Sequence, residues 1–520
     1  MTPLISILIF LPLVGALVVA FLRSANAVRW TTLGITVATF LVSIPLFTGF
    51  DAAADGPQFV ERVRWFSGFD VSYYVGVDGL NLLLVMLTTL LGPIVVLGSW
   101  TYIGKHHAGY YALLLLLQSG VTGVFTSYDA LLFYVFFELT LVPMYFIIGI
   151  WGAENRIYAA VKFVIYTFVG SLLMLVALIW MAYHAGEAVN GGVFTTDYFK
   201  LLDYNVPADQ QLWLFLLFAL AFSIKVPLFP FHTWLPDAHV QAPTGGSVVL
   251  AGTLLKMGTY GLVRFCLPLF PAAATSNAVV TGFAVLAVMG ILYGALVSRV
   301  QTDAKKLVAY SSVSHLGFVV LGIFAFNAIG LQGALIQNIN HGLSTGALFL
   351  LVGFMYERRH SRLMSDYGGV AKLAPVLTFF MVLSVMASAG LPGLNGFVGE
   401  FMILLGAFES PTLASPVLVA LATTGVILAA IYLLWMLYKT FFGPVTDSHL
   451  AHEMRDLNTR EVIALVPLVV LMLVMGFYPA PFLAKQEKAV EQLLEVIETK
   501  AQAAAEAAAP ALRVPVATAR

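Results

Sequence analysis

The sequence predicts an all-α polytopic membrane protein, and three features carry that prediction. Hydrophobic residues make up 60% of the 520 residues and charged residues only 10%, whereas soluble domains average about 25% charged residues. Apolar stretches of about 20 residues, long enough to cross the hydrocarbon core of a bilayer, recur along the chain. Two of these stretches are interrupted by proline, a feature that indicates a transport site.

Hydropathy predicts about 14 transmembrane helices. They lie near residues 3–22, 30–50, 80–100, 110–127, 129–150, 157–183, 212–243, 247–271, 277–297, 306–326, 331–356, 374–408, 415–441 and 459–478. The first stretch is interpreted as a helix and not a signal peptide, because it lacks a basic leader and a clear cleavage site. After the last span, the tail is expected to form an amphipathic helix followed by a disordered end.

Basic residues concentrate in alternate loops, which predicts the orientation. One set of loops contains Arg23, Arg29, Lys105, Arg156, Arg299, Lys305, Lys306, Arg358, Arg359, Arg362, Lys372, Lys439, Arg455 and Arg460. The opposite loops contain only four basic residues beside seven acidic residues, and these four are assigned as Arg62, Arg64, Lys200 and Arg264. The positive-inside rule makes the first set cytoplasmic, so both termini are expected on the non-cytoplasmic side.

The seventh and twelfth spans are interrupted in a similar way. Each contains Ser-x-x-x-Pro followed by Phe, at Ser223, Pro227 and Phe231 and at Ser388, Pro392 and Phe397, and Pro230 adds a second break residue to the seventh span. Because the two spans are five helices apart, the second copy must insert in the opposite orientation. Paired broken helices indicate a site between inverted repeats, where the unpaired backbone faces protein or water. A simple packing kink is the alternative.

Six ionisable residues fall inside predicted spans. They are Glu138, Lys225, Lys256, His315, His341 and Glu400. Each costs roughly 2.5–3.5 kcal/mol at the bilayer centre on insertion scales, so the six must face inward and lie near one another and near water. A structural Lys–Glu pair or a packed histidine would explain one or two of them. The whole set predicts a proton path, with Lys225 as a proton carrier and the helix break admitting water to it.

The chemistry of a buried lysine suits this role. Burial disfavours the charged form of a lysine, and a nearby carboxylate restores it, so movement of Glu138 relative to Lys225 would load or unload the lysine. A membrane potential of about 200 mV opposes each charge by roughly 4.6 kcal/mol, an energy that a buried ion pair can supply. His232, His239 and Asp237 are assigned to the polar cytoplasmic end of the break, with no metal site expected.

Several function classes are excluded. The net charge of −1 argues against a nucleic-acid partner. The single cysteine, Cys266, excludes disulfides within the chain and any iron–sulfur or cysteine-rich zinc site. No nucleotide-binding glycine motif follows a strand, and the cluster "GLPGLNGFVG" lies inside a span. We therefore expect no nucleotide, iron–sulfur cluster or cysteine-rich zinc site in this chain.

Five long motifs resemble the antiporter-like subunits of respiratory complex I. They are "FPFHTWLPDAHVQAPTGGSVVLAGTLLKMGTYGLVRF" (229–265), "ENRIYAAVKFVIYTFVGSLLML" (154–175), "KKLVAYSSVSHLGFVVLGIF" (305–324), "NINHGLSTGALFLLVGFMYERR" (338–359) and "GLPGLNGFVGEF" (390–401). The resemblance covers nearly the whole chain. It implies a 14-helix fold with inverted repeats of five helices, helices 4–8 and 9–13. The implied divisions are residues 1–106, 107–272, 273–445 and 446–520.

The resemblance also implies roles and surroundings. Glu138 and Lys225 match the family's Glu–Lys pair, and Lys256 matches its central lysine. The remaining matches are His315 and His341 as linking histidines and Glu400 as the terminal group. Lysine is usual at that terminal position in subunits L and N, so the glutamate separates this chain from those siblings, which are expected on either side of it. FMN, iron–sulfur clusters, NADH and quinone would be bound by other subunits.

Two other functions stay open from the sequence alone. An Mrp-type cation/proton antiporter subunit shares the resemblance, although Glu400 speaks against it. A purely structural membrane spacer would leave the six buried ionisable residues unexplained. The implied location is the bacterial inner membrane, in contact with lipids and with the other membrane subunits of the complex.

Overall fold

The computed structural model describes residues 3–66, 68–413, 415–445 and 448–508. Within these ranges the protein is mostly helical, and helices occupy each of the predicted apolar stretches. The predicted disordered end of the tail, residues 509–520, lies outside the described residues.

Within the described ranges, ten helices are long and apolar enough to cross a membrane. They are Ala25–Thr48, His107–Thr126, Ala130–Trp151, Arg156–Val189, Thr244–Leu269, Asn277–Val300, Ala304–Ile323, Ala328–Arg359, Pro416–Phe441 and Thr459–Phe477. Shorter apolar helices are Leu4–Ala20, Leu82–Gly98, Pro375–Ser388 and Asn395–Phe408. The seventh predicted span is divided into Ala208–Lys225 and Trp234–Gln241, and the tail forms the amphipathic helix Ala480–Ala508. Short helices in connecting segments are Tyr198–Asp203, Pro271–Ala274, Val370–Leu373 and Ser448–Glu453.

Polar caps fix the start of several long helices. Asp129 accepts hydrogen bonds from two backbone amides of the helix Ala130–Trp151, and Asp303 caps Ala304–Ile323 in the same way. Asn458 and Glu461 form a capping box at the start of Thr459–Phe477. These side chains satisfy amides that have no partner within the helix, which matters most where lipid offers no alternative partner.

A two-stranded antiparallel sheet departs from the all-α prediction. Strand Gln58–Arg64 pairs with Ser72–Val77, with Arg62 opposite Tyr74. The second strand is buried along its whole length. Its sequence, "SYYVGV", is rich in the aromatic and β-branched residues that favour strands, but hydropathy does not reveal it because it lies between two spans.

The centre of the molecule is formed by helices that are buried on all sides. In the most apolar part of Ala328–Arg359, 94% of residues are buried, and the value for Thr244–Leu269 is the same. The corresponding value for Ala25–Thr48 is 28%. A helix that is enclosed on all sides can carry polar side chains without exposing them to lipid. Lys256 and His341 lie on these two central helices.

The two ends of the helix bundle carry different polar groups. At the end with the β-sheet, Glu61 accepts a hydrogen bond from the amide of Ile5 at 2.8 Å. The helix Ala480–Ala508 also lies at this end, and it passes so close to Gly79 that a Cβ atom there would be 2.4 Å from the Lys485 carbonyl oxygen. The opposite end contains an arginine cluster in which Arg358 pairs with Glu461 at 2.6 Å.

Candidate functional site

Lys256 lies in a distorted central helix. Its α-helical segment Leu255–Gly261 is flanked by two π-helical segments, Leu250–Leu254 and Leu262–Cys266. A π-helical turn changes the backbone hydrogen-bonding pattern, and such turns often mark functional sites. The Lys256 ammonium donates to the carbonyl of Ala251 inside the first π segment. The distortion thus supplies a local acceptor to a side chain that is completely buried.

His341 links Lys256 to the second half of the molecule. The Lys256 Nζ atom lies 2.6 Å from the Nδ1 atom of His341, on the neighbouring helix Ala328–Arg359. The ring of His341 lies 6.1 Å from the ring of His315, measured between centroids. A neutral imidazole nitrogen can accept a proton from an ammonium group and a protonated one can return it. The geometry of the Lys256–His341 contact therefore allows a proton to pass between the two side chains.

His315 and Glu400 form the end of this chain of contacts. The His315 Nδ1 atom lies 2.7 Å from the Glu400 Oε1 atom, and both side chains are buried. Gln337 Nε2 donates to the same carboxylate oxygen at 3.1 Å. On the other side of the imidazole, the Tyr432 hydroxyl lies 3.2 Å from His315 Nε2. These partners fix the orientation of the His315 ring relative to the carboxylate.

Glu400 follows the second helix interruption. The helix Pro375–Ser388 ends before Pro392, and the helix Asn395–Phe408 begins after it. Gly390 adopts a φ of +75°, and a Cβ atom there would lie 3.2 Å from the Glu400 Oε2 atom. Asn340 contacts the start of the helix Asn395–Phe408 by donating a hydrogen bond to the carbonyl of Asn395 at 2.7 Å. The interruption thus brings exposed backbone and a carboxylate to the same buried position.

Lys225 is the last residue of the helix before the first interruption. The helix Ala208–Lys225 ends there, Pro227 and Pro230 lie in the irregular segment that follows, and a helix resumes at Trp234. The Trp234 indole donates to the carbonyl of Ile224 at 2.9 Å. This bond gives a partner to a carbonyl group that the helix end leaves unpaired. The break is therefore a stable structural element.

Aromatic rings surround the Lys225 ammonium. Its Nζ atom lies 4.9 Å from the centroid of the Phe137 ring and 5.6 Å from that of Phe163. No described residue forms a hydrogen bond with this atom, although the side chain is buried. Ring faces attract a desolvated cation by about 2 kcal/mol, which offsets only part of the cost of burying it.

Glu138 and Lys225 are not in direct contact. The sequence places them together as a pair, but neither Glu138 Oε1 nor Lys225 Nζ has a hydrogen-bond partner among the described residues. Glu138 is half-buried and is still the charged group that acts electrostatically on Lys225. In place of the predicted direct ion pair, the Glu138 carboxylate therefore acts on Lys225 at longer range, and the Phe137 ring lies against the Lys225 ammonium.

Lys225 and Lys256 are brought near one another by close backbone packing. A Cβ atom at Gly258 would lie 2.8 Å from the amide nitrogen of Val226, the residue that follows Lys225. Only glycine permits this approach of the central helix to the first interruption. The two lysines therefore lie on backbone segments that touch, although no hydrogen bond joins their side chains.

Two basic residues, Arg264 and Lys305, lie in helices and not in the predicted loops, and a third, Lys162, forms an ion pair near a helix end. Arg264 is not in a loop but buried within Thr244–Leu269, where its guanidinium pairs with Asp78 at 2.6 Å. Lys305 lies in the first turn of Ala304–Ile323 and donates to the carbonyl of Ala242 at 2.5 Å. Lys162 pairs with Asp237 at 2.8 Å beside the first interruption. Hydropathy cannot distinguish a loop cation from one near a helix end that finds a partner.

The sequence analysis missed several residues that contact the predicted ones. These are Phe137 and Phe163 at Lys225, Gln337 and Tyr432 at Glu400 and His315, and Asn340 at the second interruption. The amide-rich run "QNINH" inside a span was an available signal, since amides in spans bond to other helices. The aromatic and tyrosine contacts had no such signal.

The assembled site is suited to proton transfer. Two close contacts, Lys256–His341 and His315–Glu400, join four of the six predicted residues in pairs. Every group in them can both bind and release a proton. Among the described residues, no three His, Cys, Asp or Glu side chains cluster in a way that could hold a metal ion.

Comparison with known proteins identifies the family. The family described as "NADH:quinone oxidoreductase/Mrp antiporter, TM" matches residues 127–438. NADH-quinone oxidoreductase subunit M of Rhodobacter capsulatus is 45% identical over 499 residues, covering 92% of this chain and 94% of the relative. NADH-ubiquinone oxidoreductase chain 4 of Marchantia polymorpha is 39% identical over 492 residues, covering 94% of this chain and 96% of the relative.

Solved structures support the same assignment. A chain of respiratory complex I from Thermus thermophilus with bound NADH matches with a TM-score of 0.85 and 32% identity, covering 95% of this chain and 99% of that chain. A chain of the Mrp complex from Dietzia matches with a TM-score of 0.82 and 21% identity, covering 97% of this chain and all of that chain, which shows a shared fold. The chain therefore belongs to the NADH:quinone oxidoreductase/Mrp antiporter family, in the branch of NADH-quinone oxidoreductase subunit M.

Proposed function

We propose that this chain translocates protons as an antiporter-like subunit of respiratory complex I. The relay that we assign consists of Glu138, Lys225, Lys256, His341, His315 and Glu400. One observation carries the proposal: the buried Lys256–His341 contact of 2.6 Å and the buried His315–Glu400 contact of 2.7 Å lie on adjacent central helices. Groups of this kind are costly in a membrane and are kept for ion pathways.

The first step in this mechanism is a change in the charge of Lys225. When the Glu138 carboxylate approaches, the charged form of the lysine is stabilised, and when it withdraws, the lysine loses that stabilisation and releases its proton. The structure supports such a switch because the Lys225 ammonium forms no hydrogen bond with a described residue. An electron-transfer step in another subunit would drive the movement.

Proton transfer then continues from Lys256 to Glu400. Lys256 passes a proton to His341 Nδ1 across their hydrogen bond, and a water molecule can carry it between the two histidine rings. His315 delivers it to Glu400, which is the acidic end of the relay. A carboxylate can both accept and release the proton when its affinity for protons is tuned to the local pH.

The proposed topology has 14 spans with two inverted repeats, helices 4–8 and 9–13. Its divisions are the N-terminal helices 1–106, the first repeat 107–272, the second repeat 273–445 and the C-terminal segment 446–520. The two interruptions support this arrangement, because Lys225 precedes one and Glu400 follows the other. Interruptions at corresponding places in two repeats form a common site near the membrane centre.

We assign the protein to the bacterial inner membrane with both termini on the non-cytoplasmic side. In support, Ile5 and the helix Ala480–Ala508 lie at the end with the β-sheet, opposite the arginine cluster around Arg358. The proposed neighbours are the antiporter-like subunits L and N, together with lipids. FMN, iron–sulfur clusters, NADH and quinone belong to other subunits of the complex in this proposal.

An Mrp-type antiporter subunit is the second candidate, because the Mrp complex shares the fold. Two observations favour complex I. The relatives with the higher identities are named as its subunits, and the terminal relay residue is Glu400, whereas lysine is usual in the Mrp subunits. Co-purification with NADH-oxidising subunits distinguishes the two candidates directly.

Lys256→Met tests the proposed relay. Methionine keeps most of the length and an unbranched, apolar side chain but cannot carry a proton. We expect NADH-driven proton uptake into inverted vesicles, normalised to the complex that assembles on a native gel, to fall at least about tenfold. The control is Lys439→Met, since Lys439 is an exposed lysine that lies over Trp435, and uptake should be unchanged. An assembled Lys256→Met complex with normal uptake would contradict the relay.

A further inference from the structure

An apolar groove opens on the outer surface of the bundle, away from the relay. It has a volume of about 840 Å³ and lies between the helices Ala25–Thr48, Leu82–Gly98 and Thr459–Phe477. Its apolar lining includes Leu33, Phe40, Leu90, Leu97, Ile463 and Leu471. Arg460 is the one charged residue in the lining, counting the described part of the chain. A groove of this composition accepts hydrocarbon.

One end of the groove has the features of a membrane–water interface. Trp30 and Trp100 lie there with their ring centroids 5.1 Å apart, beside Arg460. The guanidinium of Arg29 lies 5.9 Å from the centroid of the Trp100 ring. Tryptophan is enriched at the level of lipid headgroups, so this end of the groove lies where a phosphate group would be.

Two arginines lie at this end, and one of them, Arg460, lines the groove with a side chain that is 17% exposed. Arg460 Nη1 and Arg29 Nε are shielded from solvent and have no hydrogen-bond partner among the described residues. Two glutamates are near: Glu461 pairs with Arg358 at 2.6 Å and with Arg460 at 3.4 Å, and Glu357 accepts from Thr101 at 2.5 Å. Arg29, Arg358 and Arg460 thus outnumber the two carboxylates, which leaves the mouth positively charged.

The length of the groove matches an acyl chain. Its lining runs along the helix Thr459–Phe477 from Arg460 to Leu471, which corresponds to roughly 16 Å at the rise of an α-helix. This distance reaches from the interface to about the middle of a hydrocarbon core of about 30 Å. The groove therefore has room for the part of one lipid that lies in one leaflet.

We infer that this groove binds an anionic phospholipid, with an acyl chain along Leu90 and Leu471 and the phosphate against Arg460 and Arg29. Planar guanidinium groups bind phosphate oxygens well. The inference is independent of the proton relay, because the lining of the groove comes from three helical regions that carry none of the relay side chains. A lipid in this position would hold together the outer helices of the bundle.

Photocrosslinking in the assembled complex tests the lipid site. The purified complex is reconstituted into vesicles containing phosphatidylglycerol with a photoactivatable acyl chain, or phosphatidylcholine with the same chain, and labelled peptides are identified by mass spectrometry. We expect groove peptides to be labelled about fivefold more by phosphatidylglycerol. Arg460→Ala should remove this preference, and Arg23→Ala, at an exposed arginine outside the groove lining, should keep it.

A second variant keeps the inference testable if Arg460→Ala fails to assemble. Leu97→Trp fills the groove and should abolish labelling of its peptides by both lipids. Ile427→Trp, at a residue on Pro416–Phe441 that is 62% exposed, should not. Equal labelling by the two lipids, or unchanged labelling of assembled Arg460→Ala or Leu97→Trp, would overturn the inference. So would occupation of the groove by a neighbouring subunit or a quinone.

Discussion

Lys225 and Glu400 lie beside the two helix interruptions, but their surroundings differ. The Lys225 ammonium lies against the rings of Phe137 and Phe163 and has no hydrogen-bond partner among the described residues. The Glu400 carboxylate receives hydrogen bonds from His315 and Gln337 on neighbouring helices. The Lys225 ammonium is thus held by ring faces alone, and the Glu400 carboxylate is held by hydrogen bonds.

Because of this difference, the two regions are suited to different steps of proton translocation. A cation that lies on ring faces can change its distance from a carboxylate without breaking a hydrogen bond, so the Lys225 region is suited to switching. A carboxylate held by a histidine and an amide is fixed in place, so the Glu400 region is suited to conducting a proton once it arrives.

Removal of the charge at Glu138 should have the largest effect. Glu138→Gln and Glu138→Ala remove the one carboxylate that acts on Lys225. We expect NADH-driven proton uptake into inverted vesicles to fall at least about tenfold in complexes that assemble. Assembly is measured on a native gel beside turnover. Normal turnover and pumping by an assembled variant would show that the first region does not depend on this charge.

Glu138→Asp should reduce proton uptake by less than Glu138→Gln does. The charge is kept, while the side chain is shortened by one methylene and acts on Lys225 from farther away. We expect proton uptake between that of the unaltered complex and that of Glu138→Gln. If the Asp and Gln variants prove equal in the same assay, the carboxylate charge is not the property that matters.

Loss of a ring face should weaken the Lys225 region by less. Phe137→Leu keeps an apolar side chain but removes the nearer of the two rings over the ammonium, which is worth about 1 kcal/mol or more. We expect proton uptake to fall about two- to fivefold. Phe133→Leu is the matched control, because its ring packs on Phe265 at 4.6 Å and does not lie over Lys225. Equal losses in both variants would indicate a general packing defect.

Tyr432→Phe should have the smallest effect, in the Glu400 region. The change removes the hydroxyl that lies 3.2 Å from His315 Nε2 but leaves the His315–Glu400 bond. A single hydrogen bond is worth about 1 kcal/mol, so we expect proton uptake to fall less than about fivefold. Tyr438→Phe, at a residue that is 69% exposed, is the control. A loss as large as that of Glu138→Gln would make Tyr432 a member of the relay.

The sequence was sufficient to place the helices and the interruptions, because both depend on local composition. An apolar run of fixed length predicts a span, and Pro227 and Pro392 do lie in irregular segments between helices. The six buried ionisable residues could be named for the same reason. Their cost in lipid is visible without knowledge of their neighbours.

The contacts of these residues could not be predicted, because they depend on tertiary packing. Nothing local indicates that the Phe137 ring lies against the Lys225 ammonium, or that the π-helical segment before Lys256 offers it the carbonyl of Ala251. The buried ion pair of Arg264 with Asp78 cannot be seen in the sequence, because the two residues are 186 positions apart. The β-sheet was missed because its strands are short and lie between spans.

Replacement of Glu400 tests most directly whether a titratable group at this position passes the proton on. We compare proton uptake into inverted vesicles, normalised to assembled complex, for Glu400→Lys and Glu400→Ala. Lysine can still bind and release a proton beside His315, so Glu400→Lys should keep substantial pumping, whereas Glu400→Ala should lose most of it. If Glu400→Lys fails as completely as Glu400→Ala, the position requires a carboxylate specifically, and the proposed role of Glu400 as a relay group is wrong.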